Sequence, residues 1–350
     1  MGIIPPRLRP RGHLVIAPKH LGILALPAFV LLASEYLLGN FGNSALVLPD
    51  TVSVDPAPLL ELTARYRFLS AWFFYFAVCV IFIAVFFAEL WSQHSPKSAV
   101  RILLGLVAVV AFTMVFNTLE PEWMGSFEAY ELLGKSLFVD ALSPGQLRAC
   151  ETSLACDDEG AFHGMEFLLD KANHITSLAA AAVIAGMVLA LARPHRPYLL
   201  SNKGLAAEAE ILRRAQDAST RYLYCSGILL SVGMVLVLSW MKWPGQMIAD
   251  PELRARHAEL VNAISLYRGV SYSVLILSYY MPVSLILMVR IERFHSAVAA
   301  HGNPSIGAEV MGFDINKIAS LEAFKKIVAI VSPILASALG AAVTFEGIGG

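Results

Sequence analysis

His163, Glu166, Asp170, His174 and Ser177 follow one another at steps of three or four residues in the stretch HGMEFLLDKANHITS. On a helix that spacing gathers them into one stripe. Imidazole and carboxylate groups one turn apart can ligate a divalent transition metal such as zinc, and a carboxylate beside a metal-bound water can serve as its general base. His163, Glu166, Asp170 and His174 are therefore candidate ligands of a metal-dependent hydrolase embedded near the outer leaflet. A single helix face seldom completes a coordination shell, and the chain has no HExxH signature, so a solvated polar face is the simpler reading. No cofactor is expected, with a divalent metal the one alternative.

A second set of polar residues stands at the edges of apolar runs, where exposure to lipid is costly. Glu35, Asn117, Glu120, Glu166, Asp170 and His174 all fall toward the same side of a membrane if the runs are spans. Together they can line an acidic vestibule, which raises the local concentration of cations. Water in the headgroup zone can equally satisfy each of them singly. Cys150 and Cys156 are near enough in sequence to close a small disulfide loop if their segment meets an oxidising compartment. Cys79 and Cys225 sit in apolar runs, where a thiol is a small hydrophobe.

Other chemistries lack their signatures. There is no GxxxxGK[ST] loop, GxGxxG turn or GxSxG elbow, which leaves nucleotide-driven pumping and serine hydrolysis without a motif. Paired histidines within spans, as bis-imidazole haem ligation needs, are missing, and so is the arginine repeat of a voltage sensor. No basic patch interleaved with aromatics argues for nucleic acid.

The elements that must position these residues are membrane helices. Over 350 residues, 57% are hydrophobic and 15% charged, and the mean hydropathy is +0.64, too apolar for a soluble domain of this size. Seven runs are candidate spans: Leu21 to Leu38, Leu69 to Leu90, Ile102 to Phe116, His174 to Ala192, Tyr222 to Trp240, Gly269 to Ile291 and Ile327 to Phe345. The fold expected is an all-α, multi-pass bundle of about seven spans forming one integral membrane domain. Residues 1–20 are a basic leader with no periodic pattern. Residues 118–172 form an acidic, helical extracytoplasmic insertion between the third and fourth spans, with helix-start chemistry at Ser143-Pro144-Gly145-Gln146. Residues 203–221 are strong helix formers and extend the fifth span into the cytoplasm. Asp250-Pro251 starts a further helix that runs through Arg268 into the sixth span.

Small residues four apart, Ala182 with Gly186 and Ala336 with Gly340, allow close helix packing. The short echo between Ala64-Arg65-Tyr66-Arg67 and Thr220-Arg221-Tyr222-Leu223 is too brief to establish a repeat. Lys and Arg near span ends put the N-terminus in the cytoplasm and the C-terminus outside, in a cell membrane, most simply an inner membrane. One connection opposes this, because Lys242, Arg254, Arg256 and Arg268 then lie outside. The leading expectation is a channel or transporter for an ion, a cation by preference, or for a small polar solute. The other is a sensor or assembly protein whose 203–220 helix reaches a cytoplasmic partner. Lipid and further copies of the chain are the partners foreseen.

Overall fold

A computed structural model describes residues 14–15, 18–42, 58–93, 96, 99–107, 111, 133–134, 163–194, 202–300 and 315–342. Six helices organise them. α1 covers Ala25–Leu37, entered through a 3-10 turn, Pro18–Leu24, and left through a wider π turn, Leu38–Gly42. α2 is Pro58–Gln93, α3 His163–Leu189, α4 Asn202–Gly245, α5 Pro251–Ala300 and α6 Ile315–Ala342. Among the described residues, six segments are long and apolar enough to cross a bilayer: Gly22–Phe41, Leu62–Ser92, Lys171–Leu189, Ala207–Gly245, Pro251–Ala299 and Ala323–Gly340. Six of the seven expected spans thus stand as helices. The third is described as helix only over 99–107 and at 111, and its remainder lies outside the described residues.

Local chemistry accounts for the helix ends. The Asp250 carboxylate accepts hydrogen bonds from the backbone N–H of Glu252 (2.9 Å) and of Leu253 (3.4 Å), which caps α5 where Asp250-Pro251 foretold its start. Pro282 and Pro333 lie inside α5 and α6 without ending them, as neighbouring helices in a membrane bundle permit. The outward surface is apolar: Phe29, Phe73, Phe74, Ile81, Met281, Met288, Phe324 and Leu339 are all exposed. In water that pattern would be a liability, whereas lipid solvates it.

Interhelical contacts fix the directions. Phe68 of α2 packs on Trp240 and Trp243 of α4, with ring centroids 5.4 and 5.6 Å away, while Glu89 at the other end of α2 meets Arg221 and Tyr222. α2 and α4 are therefore antiparallel, and the two ends of the bundle are called here the Trp240 face and the Glu89 face. α3 is antiparallel to α4 as well, since Ser219 donates to the Met187 sulfur (3.3 Å) and Trp72 of α2 donates to the Leu168 carbonyl (2.9 Å). α2 and α3, consecutive among the long helices, consequently run the same way. α4 and α5 form a hairpin, with Gly245 against the His257 ring and Ser226 hydrogen-bonded to Tyr279. α6 lies along both, parallel to α4: Gly227 abuts the Ala329 carbonyl and Lys242 donates to the Gly340 carbonyl (2.6 Å).

Two short segments complete the frame. Leu14–Val15 pairs antiparallel with Arg193–Pro194 just beyond α3, which ties this part of the leader to the Glu89 face. This two-residue pairing is the one sheet among the described residues. At the opposite face Leu133 is fully buried, its carbonyl 3.4 Å from His257 Nε2, and a Cβ on Gly134 would fall 2.1 Å from Trp240 Nε1. The acidic segment thus touches the bundle at its Trp240 face.

Candidate functional site

The polar groups of the bundle converge on α1 and α5. Glu35 sits near the end of α1 and Arg268 inside α5, and the guanidinium grips the carboxylate with both terminal nitrogens: Nη1 donates to Oε1, and Nη2 donates to Oε2 at 2.8 Å. Their side chains are 15% and 11% exposed. Planar guanidinium and planar carboxylate match in this two-bond geometry, which is stronger and more directional than a point-charge contact. Hydroxyl groups surround the pair. Ser34 donates to Ser271 Oγ at 2.8 Å, Tyr267 donates to the Ser34 carbonyl at 2.8 Å, and Tyr272 lies within electrostatic reach of both charges.

Helix spacing builds this site. Tyr267, Arg268, Ser271 and Tyr272 recur at one, three and four residues, so the four occupy one side of α5. Ser34 and Glu35 are the adjacent pair that α1 offers to it. Gly269, between them, is equally necessary: a Cβ there would lie 2.3 Å from Ser337 Oγ and 2.9 Å from the Pro333 carbonyl of α6. α5 approaches α6 closely because that side chain is absent.

A second charged cluster occupies the Glu89 face. Glu89 Oε2 accepts from Arg221 Nη2 at 2.6 Å and from the Tyr222 hydroxyl at 2.8 Å, so α2 and α4 are joined there as α1 and α5 are joined by Glu35. Using the α4–α5 contacts as a ruler, Arg268 stands about fourteen residues above Arg221, roughly 21 Å along the bundle. Between the two levels Tyr75 donates to Thr176 Oγ1 (2.8 Å), and Thr176 donates back to the Ala172 carbonyl (2.6 Å).

The residues singled out from sequence fall differently. Glu35 is engaged by Arg268. His174 is exposed on α3, the same helix that carries His163, Glu166 and Asp170 in one continuous stripe. The side chains of those three, together with Asn117, Glu120, Cys150 and Cys156, lie outside the described residues. Among the described residues no three His, Cys, Asp or Glu side chains gather as a metal site would require. Cys79 and Cys225 are buried free thiols. The sequence reading missed Arg268 as a partner for Glu35, and Glu89 with Arg221 altogether. The available signal was an isolated carboxylate in each of the first two spans, which demands a cation from elsewhere in the bundle.

No family model matches the chain, and searches of curated proteins and of solved structures found no match. The functional reading therefore rests on the geometry.

Proposed function

We propose that the chain is a membrane transporter for an ion or small polar solute, closed in turn by two interhelical ion pairs. The observation that carries this is the placing of Glu35 with Arg268 and of Glu89 with Arg221: each pair joins two different helices, and the pairs stand at different depths of one bundle. Charges inside a bilayer are expensive and mark transport paths more often than passive contacts, which applies to Glu35 with Arg268; Glu89 with Arg221 stands at the end of the bundle, where Arg221 is half-exposed. An ion pair that opens and recloses gives a bundle two discrete packings, which alternating access requires.

Seven crossings and an external acidic segment belong to the same reading. α2 and α3 run in one direction, and the chain passes from the Glu89 face at the end of α2 to the Trp240 face at Leu133. The distance is that of the apolar part of α2, about 30 Å from Phe68 to Glu89, which matches a bilayer core. Ala99, Ile102 and Leu106 already pack on Phe86, Leu90 and α3 as a returning helix would. The Glu89 face is taken as cytoplasmic, because Lys97, Arg101, Arg193 and Arg196 follow the ends of α2 and α3 in sequence and Lys325 and Lys326 lie in α6 just before Ala329, which meets Gly227. The cations that opposed this orientation each have a local acceptor: Arg254 on the Ile248 carbonyl, Arg256 on Glu252, Arg268 on Glu35 and Lys242 on the Gly340 carbonyl.

The test is flux into proteoliposomes, with rubidium ion, L-alanine and pyruvate as separate probes. Saturable uptake of any one of them, lowered at least about tenfold by E89A, which unlatches the Glu89 face, supports the proposal. Well-folded, inserted protein that moves none of the three overturns it. One observation favours a second reading in that event: α4 is unbroken from its segment at 202–221 to Trp240, which touches the acidic segment at Gly134. A sensor would use that helix to report on the outer segment, and it predicts a stable complex with a cytoplasmic partner without flux.

A further inference from the structure

We infer that Arg268 is the substrate site and that the substrate is a small monocarboxylate carried together with one proton. The inference rests on the transport reading above and names its substrate class. Glu35 already shows what the guanidinium binds best, a carboxylate held by two parallel N–H donors. Protonation of Glu35 removes the negative charge that Arg268 faces and frees those donors. The site then presents the two guanidinium N–H donors and a carboxylic O–H, beside the Ser34, Tyr267 and Ser271 hydroxyls that tie α1 to α5. Such a set is complementary to an anion with two coplanar oxygens and offers a cation no charge to pair with.

The charge count makes the exchange compatible with the membrane. With Glu35 ionised and the site empty, carboxylate and guanidinium cancel. With Glu35 protonated and a monocarboxylate bound, the guanidinium is again cancelled once. Each cycle moves one proton, taken from water on one face and returned to water on the other, with one carboxylate, and the occupied and empty sites carry the same net charge. Moving an unbalanced charge through the bilayer core is the cost avoided. Among the described residues, the titratable groups facing Glu35 come from α5, the helix packed against α1, and are Arg268, Tyr267 and Tyr272; on α1 itself Tyr36 adjoins it. None of these other than Glu35 is a carboxylate, so the coupled proton is assigned to it.

Pyruvate is the probe, with rubidium ion and L-alanine as controls, in proteoliposomes holding the full chain. An acidic exterior should drive pyruvate accumulation that a potassium–valinomycin clamp leaves unaltered, and pyruvate binding to the detergent-purified protein should tighten as pH falls. E35Q, which mimics the protonated carboxyl, should remove the pH dependence of binding and the drive by the proton gradient. R268K keeps the positive charge but not the fork, and should weaken pyruvate binding on the order of tenfold. Cooperative melting and monodisperse elution of the variants, even at a lowered melting temperature, separate these effects from misfolding. Pyruvate binding that is insensitive to pH in the wild type, uptake that follows voltage, or flux of rubidium or alanine with none of pyruvate each overturns this inference. Flux of no probe overturns the transport reading beneath it.

Discussion

Glu35 and Arg268 lie 233 positions apart in the chain, and each is costly in a membrane without the other. Substituting Glu35 by Leu leaves a guanidinium buried with no counter-ion, and should lower stability by about 3–5 kcal/mol. The double substitution E35L/R268M removes both charges and should melt at or above the wild-type temperature, because well-packed apolar side chains often equal a buried pair. Thermal unfolding in detergent reads both. A double variant as unstable as the single one would mean that the hydroxyl network, not the pair, holds α1 to α5. The carboxylate itself was legible in the sequence as a polar residue in an apolar run. Its partner was not, since nothing local in an α-helical sequence encodes a contact between helices so far apart.

Among the elements, α3 and α4 show how one small residue places a polar side chain. A Cβ on Gly186 would lie 2.2 Å from two carbons of the Tyr222 ring, the ring whose hydroxyl reaches Glu89. G186A should therefore displace Tyr222, break that bond and cost about 1–3 kcal/mol by overpacking. Adding Y222A removes the clash, so the double variant should cost less than the sum of the singles, as melting curves would reveal. G105A is the control: nothing lies within 4 Å of a Cβ there, and alanine favours helix over glycine. The spacing of Ala182 and Gly186 announced close packing on this helix, and the helix formers of 203–220 announced the length of α4. The order in which helices meet was illegible, because small-residue pairs state that a neighbour comes near without naming it.

For the molecule as a whole, the proposed topology makes a direct prediction about accessibility. In a background with the four native cysteines replaced, single cysteines at Ser92, Asp250 and Ser143 should react with a membrane-impermeant maleimide from opposite sides. In the proposed topology S92C is reached from the Glu89 face, and D250C and S143C from the other. Labelling of S92C and S143C from the same side would remove the third crossing. Composition and hydropathy alone disclosed the membrane class and most of the spans. The shared direction of α2 and α3 came only from contacts such as Trp72 with Leu168, and it is on this direction that the proposed third crossing rests.

α5 contains 50 residues and α4 contains 44, about 75 and 66 Å of continuous helix beside a hydrocarbon layer of about 30 Å. A helix of either length set across such a layer would extend well beyond it. A straight rod anchored in the bilayer is a lever: if α4 pivots by about 10° near Arg221, its tip at Asn202 swings by about 5 Å over an arm of roughly 30 Å. Leu212 packs on Phe294 of α5 along that arm and links the two helices there. Such a pivot would carry a change at the Glu89 carboxylate to the end of α4, where a molecule in the aqueous phase could meet it without entering the membrane.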